Sequence, residues 1–488
     1  MKIKYFIILV FLPAFVFGQN YSEVKKIISN EQKSKLLRNA SWSVTARYLD
    51  NGEDIVQHNS QLAIAPASNM KLLTTAVALD VLGEDYQFVT KIYLDGEVDA
   101  NGNLDGNVYI VGGGDPTLGY DLVEGSLSLN DLVANWIKTF REKGINSISG
   151  NIIADDLLYD RIPIPDNWVW IDLGNYYAAS TSALTIHNNL YHLYFRPADK
   201  VGELATVIRT EPEIKDLEFA NFVKTGEIGS GDNGYIYNAP LQNTATLRGT
   251  IPFGKAEFSI KGSIPNPPLF AAQYFKDKLI NNGINVNGIA KVINDKHEYK
   301  SNKLIIEAFS PKLKEIVYII NKKSDNLYTE MLLKAIGYKG KGEGSVEKGI
   351  EVIKNYLNKN KLNSDELLMY DGCGLSRSNA ITTNLMVDLL STVSKKQYFK
   401  SFFNSLAFVG NPNDISSYSN YGIGTPIEKN AHIKSGVIEK VRAYSGYLSD
   451  MNGRTIVFSM IANNFNGSGG DVSNIHKKIM IELAKLKK

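Results

Sequence analysis

Hydrophobic positions change period along this chain, and the changes divide it. Behind Lys2 and Lys4 runs an apolar stretch over residues 5–17, closed by Gly18 and polar Gln19-Asn20. That order predicts a secretory signal over residues 1–18, because the run is too short to span a bilayer comfortably. No cysteine follows it, which argues against a lipoprotein anchor. Val24, Ile27, Ile28, Leu36 and Leu37 then mark a helical face, and residues 42–49 alternate like a strand before the turn Asp50-Asn51-Gly52. Pro66 and Ala67 lead into a strongly apolar helix predicted over residues 68–82, with Gly83 as its stop.

From Tyr86 the period shortens. Strand-like runs at 88–94, 107–111 and 258–261 are separated by Asp-Gly, Asn-Gly and Gly-Gly turns. The pattern predicts a β-rich insert over residues 86–305, large enough for two nested domains. Helical spacing returns after Ser310-Pro311, a predicted cap, with Leu313, Ile316, Val317 and Ile320 on one face. Further helices are expected over 327–336, 346–357 and 383–393, then paired strands over 442–448 and 454–462. A last helix carries Val472, Ile475, Ile479, Leu483 and Leu486 on one side and several lysines on the other. It suits a membrane surface or, the stronger expectation, a sheet on which to dock; any membrane association is expected to be peripheral. The order of elements is α+β: a host of 19–85 and 306–488, split by the insert.

Composition narrows the function. At 488 residues the chain exceeds one ordinary core, and 44% hydrophobic with 21% charged residues is globular. A formal net charge of +2 gives no polyanion bias, so no nucleic-acid partner is expected. The single cysteine, Cys373, forms no internal disulfide and reads as a small buried residue. The six histidines show no H-E-x-x-H and no ligand spacing with cysteine, so no metal or cofactor is expected. Gly112-Gly113-Gly114-Asp115-Pro116 lacks the Lys-Ser/Thr of a phosphate loop and reads as a tight turn. Asp155-Asp156 reads as turn or pocket charge.

Three short motifs carry the chemistry. Ser68-Asn69-Met70-Lys71 is S-x-x-K, Ser324-Asp325-Asn326 is S-D-N, and Lys434-Ser435-Gly436 is K-[ST]-G. Each alone is common; in this order they are the set used by active-site serine enzymes. Ser68 is the candidate nucleophile and needs a base. Lys71, one turn on, shares its helix face, and burial with a second cation, Lys434, would lower its pKa enough for that task. Ser324 offers a proton relay to the leaving nitrogen, and Asn326 an amide to hold substrate. Gly436 would leave room for substrate along the strand edge. The N–H groups of Ser68 and Val437 are the natural oxyanion donors.

With these residues the chain resembles the penicillin-binding proteins of the D-alanyl-D-alanine carboxypeptidase/endopeptidase type, low-molecular-mass class C. The resemblance extends to Gly113-Gly114-Asp115-Pro116, Tyr177-Ala178-Ala179, the block from Asp371 to Arg377, and Ser445-Gly446-Tyr447. It implies a β-lactamase/transpeptidase-like host, an antiparallel sheet flanked by helices, split by inserted domains. It implies acylation of Ser68 by peptidoglycan stem peptides, β-lactams as inhibitors, a periplasmic location, and Asp155 and Arg377 lining a pocket for the peptide side chain. The long segment between Lys71 and Ser324 argues against a simple β-lactamase. Three departures stand out: Cys373 for Ser, Ser435 for Thr, and Val437 with Lys440 where a hydroxyl residue and Gly are usual. Val437 implies a lost donor to the terminal carboxylate, worth roughly 1.5–3 kcal/mol. A β-lactamase-like enzyme, a D-amino-acid peptidase or esterase, and a catalytically weak wall-binding scaffold remain alternatives.

Overall fold

The computed structural model describes residues 21–487, so the expected signal lies outside the described residues. The host is built on a six-stranded antiparallel sheet in the order Ala407–Phe408, His432–Ile438, Val441–Ser449, Thr455–Asn463, Ser41–Tyr48, Asp54–His58. Strands from the two ends of the chain therefore lie side by side, with Trp42 opposite Ala462 and Val44 opposite Met460. Both faces of this sheet are covered, which is why 456–462 reads as an almost continuous apolar run. Ile456, Phe458 and Met460 pack under helices Ser22–Gln32 and Gly469–Ala484. Val457 and Ile461 face the other way, into a helical core that includes Met70–Leu82, Leu313–Lys323 and Asn326–Lys341. The basic last helix thus docks on the sheet, burying Val472, Ile475, Ile479 and Leu483.

The insert has its own apolar cluster, running from Ile92 to Val286. Its largest sheet joins Val89–Val98, Asn103–Val111 and Leu304–Phe309, so the ladder continues past 305 to Phe309 opposite Val89. A second sheet carries Asn233–Tyr237 and Thr244–Pro252, and a third Leu190–Arg196 and Phe258–Ser263. The β-rich expectation holds only in part. Leu129–Glu142 is a helix capped by Ser128, with Leu129, Leu132, Val133, Trp136, Ile137 and Phe140 buried at helical spacing. Pro267–Asn281 is another, with Asn266 accepting from Leu269 N–H and proline in the first turn.

Where the insert leaves and rejoins the host, the two segments are stitched together. Phe88 N–H donates to Ser310 Oγ (2.9 Å) and Ser310 N–H to Phe88 O (2.9 Å). Ser310 is therefore not the helix cap its sequence position implies; the following helix begins at Leu313. A long segment can separate the first two motifs because its ends meet.

Candidate active site

The apolar helix begins two residues later than its pattern implies. Ala67–Asn69 is a single 3-10 turn, and Met70–Leu82 follows. Ser68 sits on that turn, half-buried, behind an Ala67 held at φ 47°. Gly374 and Gly436 press against it. A Cβ on Gly374 would lie 1.9 Å from the Ala67 carbonyl oxygen, and one on Gly436 2.3 Å from that of Pro66. Gly436 thus admits the serine turn itself, which gives its glycine a different reason from the expected room for substrate.

Lys71, one turn along, is wholly buried. Its Nζ lies 3.0 Å from Ser68 Oγ, 2.5 Å from Asn326 Oδ1 and 2.8 Å from the Cys373 carbonyl oxygen. Lys434 Nζ, also buried, lies 2.9 Å from Ser324 Oγ and 2.9 Å from Ser435 O. Among the described residues neither amine forms an ion pair. Burial pushes Lys71 down, against the opposing pull of the nearby carboxylates of Asp371 and Asp325. Burial, with the charge on Lys71, pushes Lys434 well down. Two cations cannot share this dry space cheaply, so at least one amine is driven towards the neutral form a base requires.

Ser324 reaches its place through backbone strain. It stands at φ 61°, ψ 38°, left-handed for a residue with a Cβ, between the end of Leu313–Lys323 and the start of Asn326–Lys341. Asp325 caps the second helix by accepting from Tyr328 N–H (2.9 Å) and also accepts from Asn188 Nδ2 (3.2 Å). Asn326 then points its carbonyl at Lys71 and donates its amide to Tyr177 O at 2.7 Å.

These groups open on a groove of about 750 Å³. Ser68, Ser324, Asn326, Ser435 and Val437 line it, together with Asp172, Tyr177 and Arg377. The ladder of His432–Ile438 with Ala407–Phe408 covers only His432 and Ile433, leaving residues 434–438 without a strand partner on that side. Val437 is 52% exposed there. Lys440 sits at φ 55° in the tight connection after this strand, the conformation glycine adopts most readily.

The profile of the D-Ala-D-Ala carboxypeptidase 3 (S13) family matches residues 24–486. The chain belongs to this family. It is 28% identical to a D-alanyl-D-alanine carboxypeptidase of Actinomadura sp. (strain R39), covering 92% of this chain and 82% of the relative. It is 23% identical to D-alanyl-D-alanine carboxypeptidase DacB of Haemophilus influenzae, covering 91% and 89%. Among solved structures, penicillin binding protein 4 (dacB) of Haemophilus influenzae superposes with a TM-score of 0.81 at 21% identity, covering 95% of this chain and 99% of that one. A predatory peptidoglycan endopeptidase of Bdellovibrio bacteriovorus superposes at 0.52 and 16% identity, covering 92% and 95%. The expected β-lactamase/transpeptidase-like architecture is present in this S13 chain.

Asp155 does not take the place expected of it. Its carboxylate is committed within the insert, accepting from Leu157 N–H (2.9 Å) and the Tyr299 hydroxyl (2.5 Å), and it does not line the groove. Asp172 does, buried and facing the charge of Arg377, and its position gave no motif to find it by. Arg377 lies on the groove as expected, with Glu439 at 3.7 Å.

A layer behind Lys71 was also illegible. Glu330 Oε1 accepts from Cys373 N–H at 2.6 Å, fixing the residue whose carbonyl contacts Lys71. Potential ligand atoms of Glu330, Asp371 and Cys373 lie within 4.8 Å of one another. Asp371, however, already accepts from the N–H groups of Gly374 and Ser376 and from the side chains of Asn379 and Trp168. Burial holds the Cys373 thiol well above its ordinary range. A cation would have to displace four donors, so the cluster is a scaffold for the Lys71 turn.

Proposed function

We propose that this chain is a serine-type D-Ala-D-Ala carboxypeptidase that binds penicillin and acts on peptidoglycan stem peptides after export to the periplasm. The host, 19–85 and 306–488, carries the reaction, and the 86–305 insert completes the groove. The observation that carries this reading is the buried amine of Lys71, 3.0 Å from Ser68 Oγ and in no ion pair among the described residues. Lys71 removes the Ser68 proton as Oγ attacks the carbonyl carbon of the penultimate D-Ala. The N–H groups of Ser68 and Val437 receive the oxyanion. The proton returns through Ser324, held by Lys434, to the departing nitrogen, and the C–N bond breaks. Water then attacks the Ser68 ester, with the same base taking its proton, and the shortened peptide leaves. A cross-linked amine can replace D-Ala as leaving group, which makes endopeptidase action the same chemistry on a branched substrate.

Asp172 and Arg377 set an anion and a cation on one part of the groove, suited to a side chain carrying both charges. The intact contacts around both lysines count against a catalytically weak scaffold. Fluorescent penicillin is expected to label the wild type and not Ser68→Ala, and purified muropeptides to lose D-Ala only with the wild type. Equal labelling of both proteins would sink the assignment.

A further inference from the structure

The groove does not stop at the host. Ile171, Tyr176 and Tyr235 line it and belong to the insert, where an aromatic face continues outward. Trp170 is 51% exposed, Tyr176 50% and Tyr235 38%. On the strand Asn233–Tyr237, Tyr235 and Tyr237 share the open face while Ile236 is buried on the other. Trp170 stands against Tyr237, ring centroids 5.9 Å apart. Arg248 lies opposite Tyr235 on the next strand, 4.9 Å from the Tyr237 ring, and Lys261 approaches the Tyr176 ring at 5.6 Å. A contiguous exposed patch of this kind marks a binding surface.

The face is fixed before any ligand arrives. Asn175 accepts from Ile236 N–H at 3.1 Å and donates to Ile236 O at 3.3 Å, while Ser263 N–H donates to Gly174 O at 2.9 Å. The same contacts choose among ligands. Asn233–Tyr237 is an edge strand, but Asn175 occupies both backbone groups of Ile236, and Asp232 accepts from Gly234 N–H at 3.1 Å. An extended peptide therefore finds no ladder to join there. What remains is side-chain chemistry: ring faces with polar tips, beside two cations. Pyranose rings match it, with C–H faces for the aromatics and hydroxyl and acetamido groups for the rim.

We propose that Trp170, Tyr176, Tyr235 and Tyr237 form a platform for the peptidoglycan glycan, so that the sugar chain is held on the insert while its stem peptide enters the groove. This rests on the reading of peptidoglycan as substrate. The platform makes the S13 chain selective for sugar-linked stems over free peptides, with Arg248 and Lys261 placed for carboxylates of the stem.

The four tryptophans supply the test. Trp42, Trp136 and Trp168 are buried and Trp170 is open, so a ligand on the platform changes the emission of one residue. The full chain is titrated with a β-1,4-linked N-acetylglucosamine tetramer. A saturable shift is expected, weakened about three- to tenfold by Tyr237→Ala. In parallel, kcat/KM is compared for a disaccharide-linked pentapeptide and the free pentapeptide. The wild type is expected to prefer the linked form by about tenfold, and Trp170→Ala to bring the ratio near one. Trp170 does not line the catalytic groove, so penicillin acylation of that variant stays at the wild-type rate. Unchanged emission at millimolar tetramer, a response to free pentapeptide alone, or a preference that survives Trp170→Ala would each overturn the proposal. Failure of wild-type penicillin labelling would refute the carboxypeptidase reading instead, and the emission titration would still judge the platform.

Discussion

Glu330 shows how much of this site's character comes from residues that carry no motif. It is buried beside Asp371, and burial raises its carboxyl from 4.5 to about 8. Below pH 4.5 the folded and unfolded forms both hold the proton. Between 4.5 and about 8 the unfolded chain releases it and the folded chain does not, so stability falls as pH rises. The full loss is up to roughly 5 kcal/mol, since each unit corresponds to about 1.4 kcal/mol. Glu330→Gln keeps an oxygen for Cys373 N–H and has no proton to lose. Urea unfolding at pH 5 and pH 8.5 is therefore expected to show the variant gaining on the wild type at the higher pH. Parallel slopes would mean that Glu330 is ionised in the folded protein. Ser68, Lys71, Ser324, Asn326 and Lys434 were legible because their spacing is set by chemistry. Glu330 and Asp172 were not, because each is defined only by what folding packs around it.

At the scale of elements, the strand His432–Ile438 carries both the second amine and the free edge. Two residues before Lys434, His432 lies between the rings of Phe403 and Phe408, at centroid distances of 4.0 and 4.4 Å. Burial, with the charge of Lys322, lowers His432 to about 4. Its contribution is present above pH 6.5 and is lost as pH falls through 4, because the unfolded imidazole takes up a proton first. Discounted for partial exposure, the loss is about 2 kcal/mol. His432→Phe keeps the aromatic stack and removes the titration. Its unfolding midpoint should fall less than the wild type's between pH 6.5 and pH 4, read by thermal melts; an identical decline would assign the acid sensitivity elsewhere. The paired strands and the helix before S-D-N were readable because their periods are long and uninterrupted. Of the insert's helices, Leu129–Glu142 carried an equally good period and Pro267–Asn281 a weaker one, but the turn dipeptides around them set the local reading, and only tertiary burial shows which signal wins.

Across the whole molecule, one helix joins the reaction to the insert. Asn326, Glu330 and Lys334 recur every four residues along Asn326–Lys341 and so share a face. Asn326 holds Lys71 and the Tyr177 carbonyl, Glu330 holds the Cys373 turn, and Lys334 reaches the insert. Its buried Nζ contacts Asp160 Oδ1 at 2.6 Å and Ile162 O at 2.8 Å, while the Tyr159 hydroxyl donates to Met331 O at 3.3 Å. The loop so anchored leads on to Asp172 and Tyr177, which line the groove. The insert is thus part of the site's wall, a role that neither its strand texture nor its distance from the motifs announced. Lys334→Met keeps an unbranched apolar stem and leaves Asp160, 20% exposed, without its partner. A buried ion pair broken on one side costs several kcal/mol, and the partial exposure of Asp160 reduces this to about 2 kcal/mol. Penicillin acylation should slow as well, because the loop that positions Tyr177 loses its anchor, whereas a purely local defect would lower the unfolding midpoint and leave the acylation rate of the folded protein unchanged.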